Sequence, residues 1–275
     1  MRPIICPTDF SVLSSAAARY AADMCAVLGA KLCLVHVCPL PVTVAEVPIP
    51  PYPFDHTISE AEHMITELKE KLLHHTKEAI EIETEVRMGF LMTELADYCK
   101  QQQPYAVVMG AENAKGLERL VAGASTFTAI TKLPWPVIVV PEDAVFSGIK
   151  KIALACDLKD VVETIPEKQI VALVKAFHAE LHVLHIGGDA GSFTPGSVAE
   201  SGLLQEMLDQ VDPVYHFIEG DDVEQTIVAF LDKHSFDMLF VFPKHHNLFT
   251  RIFQHSRSKR LVLQSHIPVA ALHEN

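Results

Sequence analysis

Two short glycine-containing segments are the residues of this chain best suited to chemistry. Gly110–Asn113 directly follows an apolar run, and Gly123–Thr126 begins after nine further residues. Glycines let backbone N–H groups approach a phosphate closely, and the N-terminus of a following helix adds a favourable dipole. The hydroxyls of Ser125 and Thr126 offer further donors. This pattern indicates a loop able to bind phosphate.

Other kinds of active site find little support in the sequence. It contains no Gly-x-Ser-x-Gly elbow, no phosphate loop ending in Gly-Lys, and no Gly-x-Gly-x-x-Gly after the first apolar run. Histidine pairs at 74–75, 178/182 and 245–246 lack a cysteine or carboxylate spaced to complete a metal site. We therefore expect surface histidines and no metal. Because no residue stands out as a general base, we predict no enzymatic activity.

The elements that position the glycine segments recur along the chain. Val107–Gly110 returns as Leu239–Phe242 at an offset of 132 residues, and Pro136 returns as Pro268 at the same offset. Two copies of one unit indicate two related domains.

Each copy alternates apolar runs with amphipathic helical patterns. The order β-α-β-α-β-α-β-α-β implies a parallel sheet with right-handed crossovers and helices on both faces. We therefore predict an α/β fold of two tandem doubly wound parallel-sheet domains, at residues 1–142 and 149–275. In such sheets, ligands bind beyond the carboxyl ends of the strands, where the strand order reverses.

Local signals bound several elements of the first copy. Ser11 and Gly29 are predicted to cap the first helix. The proline-rich stretch Pro39–Pro53 predicts a long surface loop. Further helices are predicted over about residues 59–78 and 117–131.

Composition restricts the partners and the location of the protein. Of its 275 residues, 49% are hydrophobic and 21% charged, as in soluble globular proteins. The net charge of −13 disfavours nucleic acid and anionic membranes as general ligands. No apolar run is long enough to span a bilayer, and no secretory signal is evident, so we predict a cytoplasmic protein. The six cysteines are predicted to be buried, reduced thiols.

One segment departs from this acidic character. No acidic residue lies between Asp237 and Glu274. A solvated basic face and a site for an anion or an acidic partner are both compatible with it. The basic residues there are Lys244, Arg251, Arg257, Lys259 and Arg260.

Taken together, the order and repetition of these motifs resemble the universal stress protein family over essentially the whole chain. The resemblance rests on residues 7–11 (Pro-Thr-Asp-Phe-Ser), 34–37 (Leu-Val-His-Val), 107–110 and 134–140. Nucleotide-binding members of that family carry Gly-x-x-Gly, nine residues, and then Gly-Ser or Gly-Thr. The resemblance implies the adenine nucleotide alpha-hydrolase-like fold and a non-enzymatic stress-response or sensor function. It also implies ATP or AMP as the ligand, if a cofactor is bound at all.

The resemblance assigns a nucleotide site to the first domain. Asp9 would hold the ribose or the adenine edge, and Val37 would meet the base. The predicted nucleotide-binding residues are Pro7, Thr8, Asp9, Val37, Met109, Gly110, Asn113, Gly123, Ser125 and Thr126.

The phosphate segment departs from the family pattern at two positions. Asn113 stands in place of the second glycine, and Ala124 in place of the hydroxyl. Asparagine tolerates a positive φ, and Ser125 and Thr126 partly replace the lost donor. The alternative is an empty loop that only connects strand to helix, in a protein-interaction scaffold without a small ligand.

The second copy has lost the motif. Phe242–His245 and His255–Ser256 replace the glycine segments, and we predict no nucleotide there. His36 and His185 share one repeat position at a strand end, where packing with a backbone hydrogen bond is favoured over catalysis.

We further predict that the two domains pair within the chain through their last strands, 136–140 and 268–272, since pairing removes exposed edges. A homodimer and an unidentified protein partner are left open.

Overall fold

The structure is a computed structural model, and it describes residues 2–40, 52–111, 124–187, 195–242 and 267–273. Two predicted site residues, Asn113 and Gly123, lie outside the described residues. Most of the proline-rich stretch and the whole basic segment from Lys244 to Arg260 also lie outside them.

The described residues form two compact units that divide the chain after Gly110. The first unit consists of β1 (Ile4–Pro7), α1 (Val12–Leu28), β2 (Leu32–Cys38), α2 (Tyr52–His75), β3 (Ile82–Met88), α3 (Leu91–Gln102) and β4 (Ala106–Ala111), which ends at the boundary.

The sheet of the first unit has the order β3-β2-β1-β4, and all its described pairs are parallel. From β1 the chain moves outward through β2 to β3, and it then returns to the other side of β1 as β4. The strand order therefore reverses between β1 and β4, which is where doubly wound sheets bind ligands.

Helix α1 begins and ends as the sequence predicts. The Ser11 hydroxyl accepts a hydrogen bond from the Ser14 amide at 3.2 Å, and Gly29 ends the helix at φ 62°. Both caps satisfy backbone groups that a helix end leaves unpaired.

Helix α2 is longer than predicted, because it begins at Tyr52, seven residues before the predicted start near Ser59. Its second residue is Pro53, the last residue of the predicted loop. In the first turn of a helix the N–H has no intrahelical acceptor, so a proline there does no harm. The predicted loop was therefore too long at its C-terminal end.

The second unit has a similar set of elements. It consists of α4 (Ala124–Lys132), β5 (Val137–Pro141), β6 (Lys151–Ala155), α5 (Val161–Thr164), α6 (Glu167–Phe177), β7 (Glu180–Gly187), α7 (Pro195–Met207), a 3₁₀ turn (Asp209–Val211), β8 (Val214–Glu219), α8 (Val223–His234), β9 (Met238–Val241) and β10 (Val269–Ala271).

Strand β5 explains why the compact units do not coincide with the sequence repeats. It is the last strand of the first repeat, but it pairs antiparallel with β10, the last strand of the second, with Ile138 opposite Ala270. The predicted pairing of the two last strands is confirmed. The sheet of the second unit has the order β5-β10-β9-β6-β7-β8, with its other pairs parallel. The repeat boundaries at 142 and 149 stay a prediction from sequence.

The second repeat differs from the first in its opening helix. Where α1 is continuous, α5 ends at Thr164 and α6 begins at Glu167. Pro166 disfavours the helical conformation of the preceding Ile165, which is extended at φ −99° and ψ 117°.

The interior is apolar, and the strands carry most of it. Every residue of β1, β5 and β9 is buried. All six cysteines are buried and free, as predicted, and burial raises the pKa of Cys6 to about 12. Among the described residues, no helix combines the length and the apolar character needed to cross a bilayer.

Phe240 tests how strongly the second unit depends on its central strand. It lies in β9 between β10 and β6 and is fully buried, so Phe240→Ala should cost about 3–5 kcal/mol of unfolding free energy. Phe90 is 72% exposed, and Phe90→Ala should change stability by no more than about 0.5 kcal/mol. Urea unfolding followed by the fluorescence of the single tryptophan, Trp135, measures both variants. Similar losses from the two would contradict this assignment of the core.

Candidate functional site

Six of the predicted site residues lie in the first unit, at the carboxyl ends of three neighbouring strands. Pro7 ends β1 and Thr8 follows it, Val37 lies near the end of β2, and Met109 and Gly110 lie near the end of β4. Since β1 pairs with both β2 and β4 in parallel, these ends share one edge of the sheet. Asp9 follows Thr8 in the turn that leads to α1.

That turn is held by its own side chains. The Thr8 hydroxyl accepts a hydrogen bond from the Phe10 amide at 3.0 Å and shares another with the Ser14 hydroxyl at 3.1 Å. The Ser11 amide donates to Asp9 Oδ1 at 3.1 Å. Phe10 has φ 64°, a backbone conformation that residues other than glycine and asparagine seldom adopt. These bonds hold the chain in that conformation and fix the direction of the Asp9 carboxylate.

Asp9 combines exposure with a stabilised negative charge. Its partial burial alone would raise the pKa of the carboxyl, but hydrogen bonds from Ser11 and Ser14 outweigh this effect and lower it below its usual value. The group is therefore ionised at neutral pH. An ionised, exposed and oriented carboxylate at the switch point of the sheet can accept hydrogen bonds from hydroxyl or amino groups of a ligand.

His36 supports the turn from the neighbouring strand. Its Nδ1 lies 2.7 Å from the carbonyl oxygen of Thr8, and its ring stacks on Phe10 with the ring centroids 4.5 Å apart. A carbonyl can only accept, so Nδ1 carries the proton and donates. This confirms the predicted packing role of His36 with a backbone hydrogen bond.

The second repeat reproduces this bond but not the charge beside it. His185 Nδ1 lies 3.1 Å from the carbonyl oxygen of Cys156, as its repeat position predicts. The following Asp157 is half-buried, and burial raises the pKa of its carboxyl despite the opposing effect of Lys159. The counterpart of Asp9 is thus less accessible and less readily ionised.

Comparison with known proteins places the fold in a family. The sequence model of the Universal stress protein family matches residues 1–141. The chain belongs to this family. No curated protein sequence matches the chain.

Two solved structures match this universal stress protein in fold over its full length. A universal stress protein from Archaeoglobus fulgidus DSM 4304 is 19% identical with a TM-score of 0.72, and the match covers 100% of this chain and 97% of that one. A functionally unknown protein from Pseudomonas aeruginosa PAO1 is 12% identical with a TM-score of 0.57, covering 100% and 93%. A universal stress protein solved in complex with cAMP is 18% identical with a TM-score of 0.39, covering 50% and 96%. At identities of 19% and 12%, the likeness to the first two structures concerns the fold alone.

Gly110, the first glycine of the predicted phosphate segment, has a packing role of its own. A Cβ at this position would lie 2.6 Å from the carbonyl oxygen of Leu13 in the first turn of α1. No side chain fits there without moving the helix. The repeat counterpart of Gly110 is Phe242, which is 2% exposed. The second repeat therefore places a large side chain where the first brings two backbone segments together.

The remaining predicted residues belong to the second unit or lie outside the description. Ser125 and Thr126 are near the start of α4, where Ser125 is exposed and Thr126 is buried. Asn113 and Gly123 lie outside the described residues. Within the described ranges, histidine, cysteine and acidic side chains form no group of three that could hold a metal ion.

Two features of the universal stress protein could not be predicted from its sequence. Phe10 and its ring contact with His36 were missed, because a positive φ at phenylalanine leaves no mark in the sequence. The histidines were expected at the surface, but His182 is only 9% exposed. It lies in β7, and its neighbour across the sheet, His216, depends on the strand register, which the sequence does not give.

Gly110 offers a test of backbone packing at the site. Gly110→Ala should cost about 1–3 kcal/mol of stability, because the added Cβ forces the start of α1 away from β4. Gly202 lies in α7 with no atom within 4 Å of an added Cβ, so Gly202→Ala should stabilise the protein by about 0.5–1 kcal/mol. Urea unfolding measures both. If Gly110→Ala is as harmless as Gly202→Ala, the close approach to Leu13 is not a constraint.

Proposed function

We propose that this universal stress protein is a non-enzymatic stress-response or sensor protein of the cytoplasm that binds an adenine nucleotide, ATP or AMP, in its first repeat only. The observation that carries the proposal is the Asp9 carboxylate, which is exposed, ionised and oriented at the switch point of the first sheet. Family membership and the spacing of the glycine segments support the same ligand class.

Asp9 has the chemistry that a ribose or an adenine edge requires. Its Oδ1 accepts the Ser11 amide, the side chains of Ser11 and Ser14 further stabilise the charge, and the carboxylate remains exposed to a ligand. A hydrogen bond to a charged acceptor contributes about 1.5–3 kcal/mol, more than a neutral one. Because the turn holds the carboxylate before any ligand arrives, little conformational entropy is lost on binding. Val37, partly exposed near the end of the adjacent strand, offers an apolar contact for the base.

The second repeat lacks these properties, and this supports binding by the first repeat alone. Asp157 is half-buried with a raised carboxyl pKa. Phe242 fills the place of the first motif glycine. A nucleotide bound as the motif implies would there meet a phenylalanine ring and a less accessible carboxyl group.

The repeat relation supplies a matched pair of variants for the proposed ligand. Asp9→Asn should weaken binding of ATP or AMP by roughly 10- to 100-fold, because it removes a charged acceptor while keeping the shape of the side chain. Asp157→Asn should leave the affinity unchanged. Isothermal titration calorimetry with each nucleotide measures both variants. Equal losses from the two would contradict binding by the first repeat alone.

The two departures in the phosphate segment predict a weak affinity that can be raised. Asn113 and Ala124 remove backbone freedom and one hydrogen-bond donor, which corresponds to roughly one to two orders of magnitude in affinity. The double substitution Asn113→Gly with Ala124→Ser should therefore tighten ATP binding by about tenfold or more. Titration of parent and double variant under the same conditions measures the change.

A double variant that binds no better than the parent would argue against a nucleotide site. The alternative, a protein-interaction scaffold without a small ligand, would then be favoured. The nucleotide content of the purified protein also distinguishes the two functions. A nucleotide-binding protein should contain nucleotide in a fraction of its molecules, whereas a scaffold should contain none.

A further inference from the structure

Two histidines face each other across the outermost strand pair of the second unit. His182 on β7 and His216 on β8 bring Nδ1 and Nε2 to 2.9 Å, and their rings stack with centroids 5.2 Å apart. The register places Val214 opposite His182, so the two histidines are diagonal neighbours. Strand β8 is the last strand in the described sheet order, and β7 is the strand it pairs with there. We call these two residues the histidine pair.

The pair lies in an aromatic environment with few charges. Phe236 packs edge-on against His182 with the ring centroids 5.1 Å apart, and Phe230 of α8 lies at the same distance from His216. Two further titratable groups of the described residues face the pair. Glu180, also on β7, has a carboxylate oxygen 3.4 Å from His182 Nε2. The ring of His234, on α8, lies tilted against Phe230 with the centroids 4.2 Å apart, and His234 acts electrostatically on His216.

The distance of 2.9 Å sets a limit on the number of protons. One ring must donate an N–H and the other must accept it with a lone pair. One extra proton leaves this bond intact, because an imidazolium can donate to a neutral imidazole while Glu180 accepts from the other nitrogen of His182. A second extra proton removes the last acceptor and places two N–H groups and two positive charges against each other. The bond and the fully protonated state therefore exclude each other.

We propose that the histidine pair is an acid-sensitive latch, which holds the outer strand β8 to β7 while at least one ring is neutral and releases that edge when both are protonated. The neighbouring helix α8 belongs to the same switch, because its Phe230 contacts the ring of His216 and its His234 contacts Phe230. The segment that opens is therefore the edge formed by β8 and α8.

The direction of the pH response follows from the environment of His216. Burial lowers the pKa of this imidazole below its usual 6.5, and His182 and His234 lower it further. An open edge exposes the ring to water and restores the usual pKa, so the open state binds more protons than the closed one. The closed state is fully stable above pH 6.5. Its stability falls as the pH decreases through 6.5 and stops falling below the lowered pKa of the closed state.

The first repeat provides an internal comparison within the same chain. His36 and His185 show that β2 and β7 correspond, so Cys33 takes the place of His182. In the same way, Gly89 and Gly220 follow β3 and β8 and donate to equivalent carbonyls, so Glu85 takes the place of His216. The edge strand β3 is thus built like β8 but without the histidine pair.

The test is amide hydrogen exchange of the full chain between pH 7.5 and 5, corrected for the intrinsic pH dependence of exchange. Opening of β8 should rise by up to about tenfold per pH unit below 6.5, the limit for one extra proton bound on opening. Opening of β3 should stay constant. His216→Gln keeps a polar group able to form a hydrogen bond but does not titrate, and it should abolish the pH dependence at β8.

A matched control removes a histidine elsewhere. His75 is exposed in the first unit, where its Nε2 lies 2.8 Å from Asp23 Oδ1, so His75→Gln should leave the response of β8 unchanged. Equal pH dependence of β8 and β3, or of the parent and His216→Gln, would overturn the proposal.

If His216→Gln does not fold, a pH titration of the two histidines in the parent protein tests the proposal instead. The ring protons of the histidine pair, followed by nuclear magnetic resonance, should then show two separate protonation steps. A single ordinary step for both rings would overturn the proposal.

Discussion

The hydrogen bond from an imidazole to a backbone carbonyl, at the end of the first strand of each repeat, is the interaction on which the candidate site depends. His36 ties the end of β2 to Thr8, and this fixes the chain just before Asp9. The next residue, Phe10, has a positive φ that is unfavourable alone, so the turn needs such outside support. His185 makes the equivalent bond to Cys156 in the second repeat. The same hydrogen bond therefore stabilises two turns whose following aspartates differ in exposure and in the pKa of their carboxyl groups.

Divergence between the repeats is concentrated around this shared support. In the first repeat α1 is continuous and Gly110 lets it approach β4 closely. In the second, the opening helix is interrupted at Pro166, and Phe242 fills the place of the glycine. A binding turn must keep a charged group exposed, whereas a structural turn gains stability by burying apolar surface. The two carboxyl groups differ accordingly, since hydrogen bonds lower the pKa of the exposed Asp9 and burial raises that of the half-buried Asp157.

Much of the fold could be predicted from the sequence, because parallel strands are continuous apolar runs and helix caps have short-range signals. Ser11 and Gly29 cap α1 as expected. The start of α2 could not be predicted, since Pro53 is compatible with both a loop and a first helical turn. The division of the chain after Gly110 and the contact between His182 and His216 depend on pairings between distant strands. Periodicity within one segment carries no information about such pairings.

The candidate site shows how a motif residue can have two sufficient explanations. Gly110 fits a phosphate-binding loop, but the carbonyl of Leu13 alone would require a glycine there. Its presence therefore distinguishes poorly between a nucleotide-binding protein and a scaffold that has kept the fold. Asp9 distinguishes better, because packing does not require an exposed, ionised carboxylate, and the fold bears a less exposed one at Asp157. The case for a ligand in the first repeat consequently rests more on this acidic side chain than on the glycines by which the motif is recognised.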